Sequence, residues 1–385
     1  MRKIIVSLFT DKSIWIIFLS VNMLFIWKYV SRTTVPVWPC IILWCIFVLL
    51  FCKLFRLITN KWPTSIFFIG VTVMLTAFAG ILLLLIKIDP LSVNVDRWSA
   101  TTYFLDGLSQ GIYPYGIHTH VCETNYPSPL PLWHYIHFVF WLLGDVGLGL
   151  FAFLFLFATS ILWFTRNLQQ TTFAVALLIL SPAYWWEVLV RSDGLSNAIL
   201  VFCVILLMER KKISFTSRWL TTSTICALTA LTRLSAIIPV ANYIVKDYIK
   251  LSLWKKISSI MIILAIIFLF FAPYIFWDTT TWVFFSRNPF MSQTSTGSPL
   301  ILVLMIVVDF FIIYLYNTNL KHFMRSTTWF VFAFFLISIM YNHFMYSTDI
   351  SIFEDSDFDI SYLTLSFPYC LYTICTDNKK YNNIK

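Results

Sequence analysis

TSIFFIGVTVMLTAFAGILLLLIKI, residues 64–88, is an apolar run that gives way abruptly to DPLSVNVDRWSATTYFLDGLSQGIYPYGIHTHVCETNYPSPLPLW, residues 89–133. The first has the length to cross about 30 Å of hydrocarbon. The second is the longest polar interval in the chain, carrying Asp89, Asp96, Asp106, Glu123, His118 and His120 among five prolines and seven aromatic residues. Connections of that length are usually functional or disordered, and this one holds too many tryptophans and tyrosines for a solvated linker. It reads as a folded segment on the bilayer surface, held in place by the spans around it.

The rest of the chain repeats the contrast. Of its 385 residues 59% are hydrophobic and 12% charged, against roughly 25% charged in soluble domains, and mean hydropathy is +0.81. The apolar runs are long and lack a two-residue alternation, and a backbone in lipid must satisfy its own hydrogen bonds, so helices are expected rather than a barrel. The expected fold is an all-α polytopic bundle forming a single membrane domain over 1–385. The formal charge of +9 sits in short loops between apolar runs, which is the signature of membrane topology and not of nucleic-acid binding. Of eight cysteines only Cys122 lies in the large loop, so neither a disulfide framework nor a metal cluster is expected. The first run, residues 14–30, lacks a small-residue cleavage pattern and reads as a retained signal anchor.

Charge assigns the sides. Arg2, Lys3 and Lys12 keep the start in the cytoplasm, and spans at about 13–30, 37–52 and 64–88 bring the polar interval outside, where four acids face the single Arg97. Arg210, Lys211, Lys212 and Arg218 form the strongest basic cluster and belong inside. Parity then requires that one of the runs 130–143, 146–164 and 172–189 does not cross. The first, short and bounded by Pro131 and by Gly144-Asp145, is expected to lie in the interface. A span at 195–208 descends to the basic cluster. Thr232-Arg233 divides residues 219–245 into two short helices, and spans follow at about 257–276, 299–316, 327–346 and 361–375. The sum is twelve crossings with both termini, including Lys379, Lys380 and Lys385, inside; Asp349, Glu354, Asp355, Asp357 and Asp359 fall outside.

Asp96 leads the candidates for chemistry because it follows a span by a few residues, at head-group depth, where a carboxylate can act as general base on a hydroxyl. Pairing with Arg97 is its alternative. Asp106, ten residues on, either joins it or caps the helix before Gly107. Asp193 is a second outer acid that either assists or caps the following helix. Arg191, Arg233 and Arg287 are lone outer cations, where the positive-inside tendency argues against idle placement; guanidinium groups suit phosphate oxygens, and snorkelling to head groups is the alternative. Tyr113, Tyr115 and Tyr126 either stack on sugar or anchor the loop. His118, His120 and Glu123 have a spacing a metal tolerates, but loop histidines are more often solvated.

The order of features resembles a known class. An acid soon after an outward span, then Gly111-Ile112-Tyr113-Pro114-Tyr115, then Asn125-Tyr126-Pro127-Ser128-Pro129-Leu130 opening a helix, is similar to the GT-C class of polytopic glycosyltransferases, within it to the polyprenyl-phosphate-sugar-dependent mannosyltransferase-like families. Arg191-Ser192-Asp193 resembles the second acidic loop of that class, and the similarity spans roughly residues 90–240. The resemblance implies Asp96 as base toward an acceptor hydroxyl with inversion at the anomeric carbon, Asp193 assisting, and Arg233 holding the donor's lipid phosphate. Arg97, Asp106, Tyr113, Tyr126, Arg191 and Arg287 complete the expected substrate-binding set. Where some members carry Asp-x-Asp this chain has Asn94-Val95-Asp96, so no metal is expected, and the donor lipid-linked sugar is a substrate rather than a cofactor. Residues 1–60 would be an N-terminal addition of two spans.

The expected function is transfer of a sugar from a polyprenyl-phosphate carrier to a glycan or glycolipid acceptor on the non-cytoplasmic face of a bacterial inner membrane, with membrane lipid as the surroundings and no nucleic-acid partner. An envelope polysaccharide polymerase or ligase would share the build while using a lipid-linked oligosaccharide. A transporter or flippase would want polar groups in mid-span and symmetric halves. The sequence offers Asp309 and no visible duplication.

Overall fold

A computed structural model describes residues 9–294, 298–346 and 359–376. The expectations resting on Arg2, Lys3, Asp349, Glu354, Asp355, Asp357, Lys379, Lys380 and Lys385 lie outside the described residues. Among those described, every regular element is helical: α1 (Asp11–Val30), α2 (Val37–Lys61), α3 (Ser65–Lys87), α4 (Arg97–Ser109), α5 (Pro131–Leu142), α6 (Gly149–Thr165), α7 (Leu168–Ile179), α8 (Pro182–Leu189), α9 (Gly194–Lys211), α10 (Phe215–Ala230), α11 (Ile237–Ile249), α12 (Leu253–Ile275), α13 (Val283–Ser286), α14 (Pro289–Thr294), α15 (Pro299–Tyr316), α16 (Leu320–Tyr346) and α17 (Phe367–Thr376). Among the described residues six helices are long and apolar enough to cross a membrane: α1, α2, α3, α6 with its preceding turn, α12 and α16. The bent pair α7–α8 makes a seventh if it counts as one span. On α2 and α3 the side chains of Leu43, Leu49, Phe68 and Ile86 are more than half exposed, an apolar surface that suits lipid and not water. The protein is an all-helical membrane protein.

The chain divides into two compact units, Met1–Leu83 with Leu154–Glu187 and Gly297–Lys385, and Leu84–Phe153 with Val188–Thr296. In the first, α17 packs against α1, α7 and α16. Its polar interior centres on the break between α7 and α8, where the axes turn by 67°. Pro182 forces that break, because its ring disfavours a helical conformation at Ser181. Side chains meet several of the freed backbone groups. Indole N–H groups of Trp185 and Trp44 donate to the carbonyls of Ile179 (2.6 Å) and Leu180 (2.9 Å). Asn22 Oδ1 accepts from the Ala183 N–H (3.2 Å) and the Ser181 hydroxyl (2.5 Å). Gly80 admits the Trp185 ring, since a Cβ there would fall 2.4 Å from its edge. Deeper in, buried Glu187 accepts a hydrogen bond from Thr364 Oγ1 (2.9 Å).

In the second unit α9, α10, α11 and α12 follow one another with short connections, α10 lying along α12 and α11 along α9 and α10. Residues 89–133 fold before and beside them as α4 and two single turns, Pro90–Ser92 and Pro114–Gly116. Phe104, Tyr115, Leu130, Leu231, Phe271 and Tyr274 form one apolar cluster that joins α4, α5 and α12.

Several boundaries fall where the sequence puts them. Thr232-Arg233 separates α10 from α11, and Gly144, at φ +103°, ends α5 after twelve residues, about 18 Å at the helical rise and too short to cross. Others move. Helix α2 continues past residue 52 through Lys53 and Arg56 to Lys61, because straight-chain cations are good helix formers, so these residues occupy the last turns of a helix instead of a loop. The run 172–189 is two helices, not one. Residues 360–366 of the expected last span are 3-10 helix, with α-helix only from Phe367.

Candidate functional site

The site lies in the second unit, where the loop before α9, the link between α10 and α11, and helix α5 meet. Asp193 stands at the N-cap of α9, a place where Asp is favoured for accepting first-turn N–H groups, yet it makes no such bond. Its Oδ2 accepts instead from Arg233 Nη1, forty residues away. Asp193 is 5% exposed and Arg233 3%. Two charges taken this far from water cost several kcal/mol each, and the pair persists only through close geometry. Burial pushes the Asp193 carboxyl up, but Arg233 first and Arg97 second outweigh it and hold it below the ordinary carboxylate value.

Helix α5 adds two histidines that both feel the charges of Asp193 and Arg233. His134 Nε2 lies 3.1 Å from the Pro129 carbonyl oxygen; a carbonyl only accepts, so this nitrogen carries the proton and Nδ1 is bare. That Nδ1 has no hydrogen-bond partner among the described residues, and the ring stacks on Phe104 with centroids 3.6 Å apart. His137 Nδ1 lies 3.1 Å from the Trp133 carbonyl, which leaves its Nε2 bare. Burial lowers both imidazoles, His134 to about 3, so both are neutral near pH 7.

A proline-rich strap holds these pieces together. Pro127, Pro129 and Pro131 have no N–H, so Leu130 and Leu132 make the contacts, donating to the carbonyls of Thr232 (3.1 Å) and Leu231 (3.2 Å) beside Arg233. Gln293 joins the two sides: its Oε1 accepts the Leu234 N–H (2.9 Å) and its Nε2 donates to the Ser128 carbonyl. Tyr115 donates from its hydroxyl to Pro129 (3.2 Å).

Asp145 makes a second hub. Its Oδ1 accepts from the Trp98 indole (3.0 Å) and the Gly147 N–H (2.8 Å), and its Oδ2 pairs with Arg191 Nη1 at 2.9 Å. The other arm of Arg191 donates to the carbonyls of Leu85 (2.8 Å) and Ile88 (3.0 Å) at the end of α3. Arg191 adopts φ +50° to do so, a conformation uncommon outside glycine. Gly147 is closely enclosed, since a Cβ there would meet Leu85, Arg191 and Asp145 at 2.8 to 3.1 Å. Through Trp98, two residues after Asp96, this hub fixes the first turn of α4.

Asp96 itself precedes α4 half-buried. Its carbonyl accepts from the Ala100 N–H (2.8 Å) and the Ser99 hydroxyl (3.1 Å), while its carboxylate makes no cap bond. Of the residues expected from sequence, the structure brings Arg97, Asp193 and Arg233 into one electrostatic group, with Asp96 adjacent to Arg97 in the chain. Others are placed apart from it. Arg191, expected to bind phosphate, spends its guanidinium on two carbonyls and Asp145. Asp106 lies within α4 and not at its end, accepting from the Trp141 indole (2.8 Å). Arg287 is exposed, its guanidinium 5.1 Å over the Tyr126 ring and its Nη1 donating to Gly116 (3.3 Å), and Tyr113 donates to the Arg287 carbonyl (2.7 Å). These three form a separate rim in the same unit. His120 bridges Ser99 Oγ (2.6 Å) and the Val93 carbonyl (3.0 Å), and His118 rests on Tyr126 (4.8 Å). Asp145, His134, His137 and Gln293 carry no local sequence signal that singles them out, although His134 and His137 do fall on one face of α5 at i, i+3.

No protein-family description, curated protein or solved structure matches this chain. The class the fold defines is therefore the broad one, a helical membrane protein with a buried, paired charge cluster.

Proposed function

We propose that the chain is a glycosyltransferase that moves a sugar from a polyprenyl-phosphate carrier to a hydroxyl of a glycan or glycolipid. The observation that carries this reading is the Asp193–Arg233 pair with Arg97 close by. Buried charges are costly, and in membrane proteins they mark sites of function by default. In the proposed reaction Asp96 takes the proton of the acceptor hydroxyl, whose oxygen attacks the anomeric carbon from the face opposite the phosphate. The bond from that carbon to the phosphate oxygen breaks, and polyprenyl phosphate leaves as an anion with inversion of the sugar. Arg233 and Arg97 stabilise the charge developing on the leaving phosphate, and Asp193 orients Arg233 for it. Neutral His134 and His137 keep the surroundings from adding further positive charge.

The same reading includes twelve crossings, reached when α9, α10, α11 with the 3-10 turn Leu234–Ala236 before it, α15, and α17 with the 3-10 segment Ile360–Ser366 before it cross alongside the six long helices and the bent pair, with both termini cytoplasmic. It sets the Asp193–Arg233 end of α9 at the non-cytoplasmic face of a bacterial inner membrane. The 18 residues of α9, about 27 Å at 1.5 Å each, separate that end from Arg210, Lys211 and Lys212, which supports opposite faces for the two.

The test uses purified full-length protein, a panel of polyprenyl-phosphate sugars labelled in the sugar, and mixed glycolipid acceptors. Release of polyprenyl phosphate together with labelled product is expected, and Asp96→Asn should slow it by roughly 10²–10⁴-fold, the range for a lost general base. Full turnover in Asp96→Asn would remove Asp96 from the reaction, and no turnover of any panel member by the unaltered protein would count against the whole reading.

A further inference from the structure

The end of α9 remote from Asp193 is assembled from four helix ends. Helices α9 and α11 finish there, and α10 and α12 begin there. Side chains pin them: Tyr243 donates from its hydroxyl to Glu209 Oε2 (2.8 Å), Tyr248 to the Lys256 carbonyl (3.2 Å), and the Tyr248 ring packs 5.2 Å from Phe215. Ile213 and Leu251, from the two connections, are buried beneath. What remains outward is basic. Arg210, Lys211, Lys212, Arg218, Lys246, Lys250, Lys255 and Lys256 share this end with two acids, Glu209 and Asp247, so eight positive charges less two leave six. Glu209 is engaged by Tyr243, and Asp247 meets Lys250 at 3.2 Å.

Cations alone would suit any polyanion. Here they adjoin large apolar side chains turned outward: Trp254 is 78% exposed and Leu253 71%, with Leu220 and Ile249 also exposed. A ligand that satisfies both must carry an anionic head and an apolar body, which excludes a soluble polyanion such as nucleic acid. We propose that this end is a binding surface for anionic phospholipid, the phosphodiester held by Lys211, Lys212, Arg218 and Lys255 and the acyl chains lying on Leu220, Leu253 and Trp254. Lysine suits this task because its stem follows apolar surface while its ammonium reaches the head group. The surface stands independently of the proposed sugar transfer and is separated from Asp193 by the length of α9.

The test is lipid retention. The full-length protein is reconstituted in nanodiscs of equimolar phosphatidylglycerol and phosphatidylcholine, extracted in mild detergent, and its bound lipids counted by native mass spectrometry. Several-fold more phosphatidylglycerol than phosphatidylcholine is expected. The preference should fall towards one in the combined Lys211→Gln, Lys212→Gln, Arg218→Gln variant, and in a second variant, Lys250→Gln with Lys255→Gln, which guards against misfolding of the first. Neutralising Lys53, Arg56 and Lys61 of α2 to Gln should leave it unchanged. Equal retention of the two lipids by the unaltered protein, a preference that survives both variants, or displacement of the lipid by an equal concentration of soluble glycerophosphoglycerol would overturn the proposal.

Discussion

The break between α7 and α8 in the first unit and the Asp193–Arg233 pair in the second are both polar interiors, solved by different means. At the break, neutral side chains satisfy backbone groups: Asn22, Ser181, Trp44 and Trp185 make good what Pro182 interrupts. At the pair, two full charges satisfy each other. The first arrangement meets freed backbone groups from within the protein, as a lipid-embedded break requires. The second costs more than an apolar core would, and an expense of that kind points to a use. This contrast is also why the broken helix, which could suggest a transporter, carries little of that meaning here: its freed groups are committed to the protein.

The contrast can be broken by mutation. The largest effect is expected from Asp193→Ala, which leaves Arg233 buried without its partner; such losses cost about 3–5 kcal/mol, measurable as chemical unfolding in detergent. A loss under about 1 kcal/mol would mean the pair is wetter than its burial implies. Asn22→Leu at the break should cost about 1–3 kcal/mol by stranding the Ser181 hydroxyl and the Ala183 N–H, and protein that still folds should keep full activity, since no proposed reacting group is touched.

How much of this was legible in the sequence depends on range. Turns written in adjacent residues were readable: Gly144-Asp145 and Thr232-Arg233 end helices as their composition implies. Asp193 and Arg233 were readable one by one as candidates, each a charged residue beside an apolar run. Their pairing was not, because forty residues and a helix reversal lie between them and no local pattern encodes the meeting. Arg191 looked like an equivalent lone cation, yet its role is settled by the carbonyls at the end of α3, over one hundred residues earlier. Asp145 was visible only as part of a turn. The break within 172–189 falls at Ser181-Pro182, inside a run whose apolar residues on both sides read as one segment.

Acidification sharpens the comparison through the two buried histidines of the second unit. His134 has a folded value near 3 and His137 one below its ordinary 6.5, so the folded state prefers both neutral. For groups depressed on folding, the stability is present above the unfolded value and is lost as pH falls below it. Stability should therefore decline below about pH 6.5 by up to about 1.4 kcal/mol per pH unit for each histidine, and His134→Phe should flatten the slope. The smallest effect is expected at the rim. Tyr113→Phe removes one exposed hydrogen bond to the Arg287 carbonyl and should cost about 0.5–1.5 kcal/mol at most, with the midpoint of thermal unfolding nearly unmoved.

The central claim is that the buried pair exists for the reaction and not for the fold. Its most direct measurement is the combined Asp193→Leu, Arg233→Met variant, assayed side by side for unfolding and for release of polyprenyl phosphate from the labelled donors. Replacing both charges with apolar side chains is often neutral or stabilising for folding, so the account predicts a protein at least as stable as the original whose transfer activity is lost by roughly 100-fold or more, the scale of a removed electrostatic contact to a developing charge. A variant that folds and transfers sugar at the original rate would contradict it.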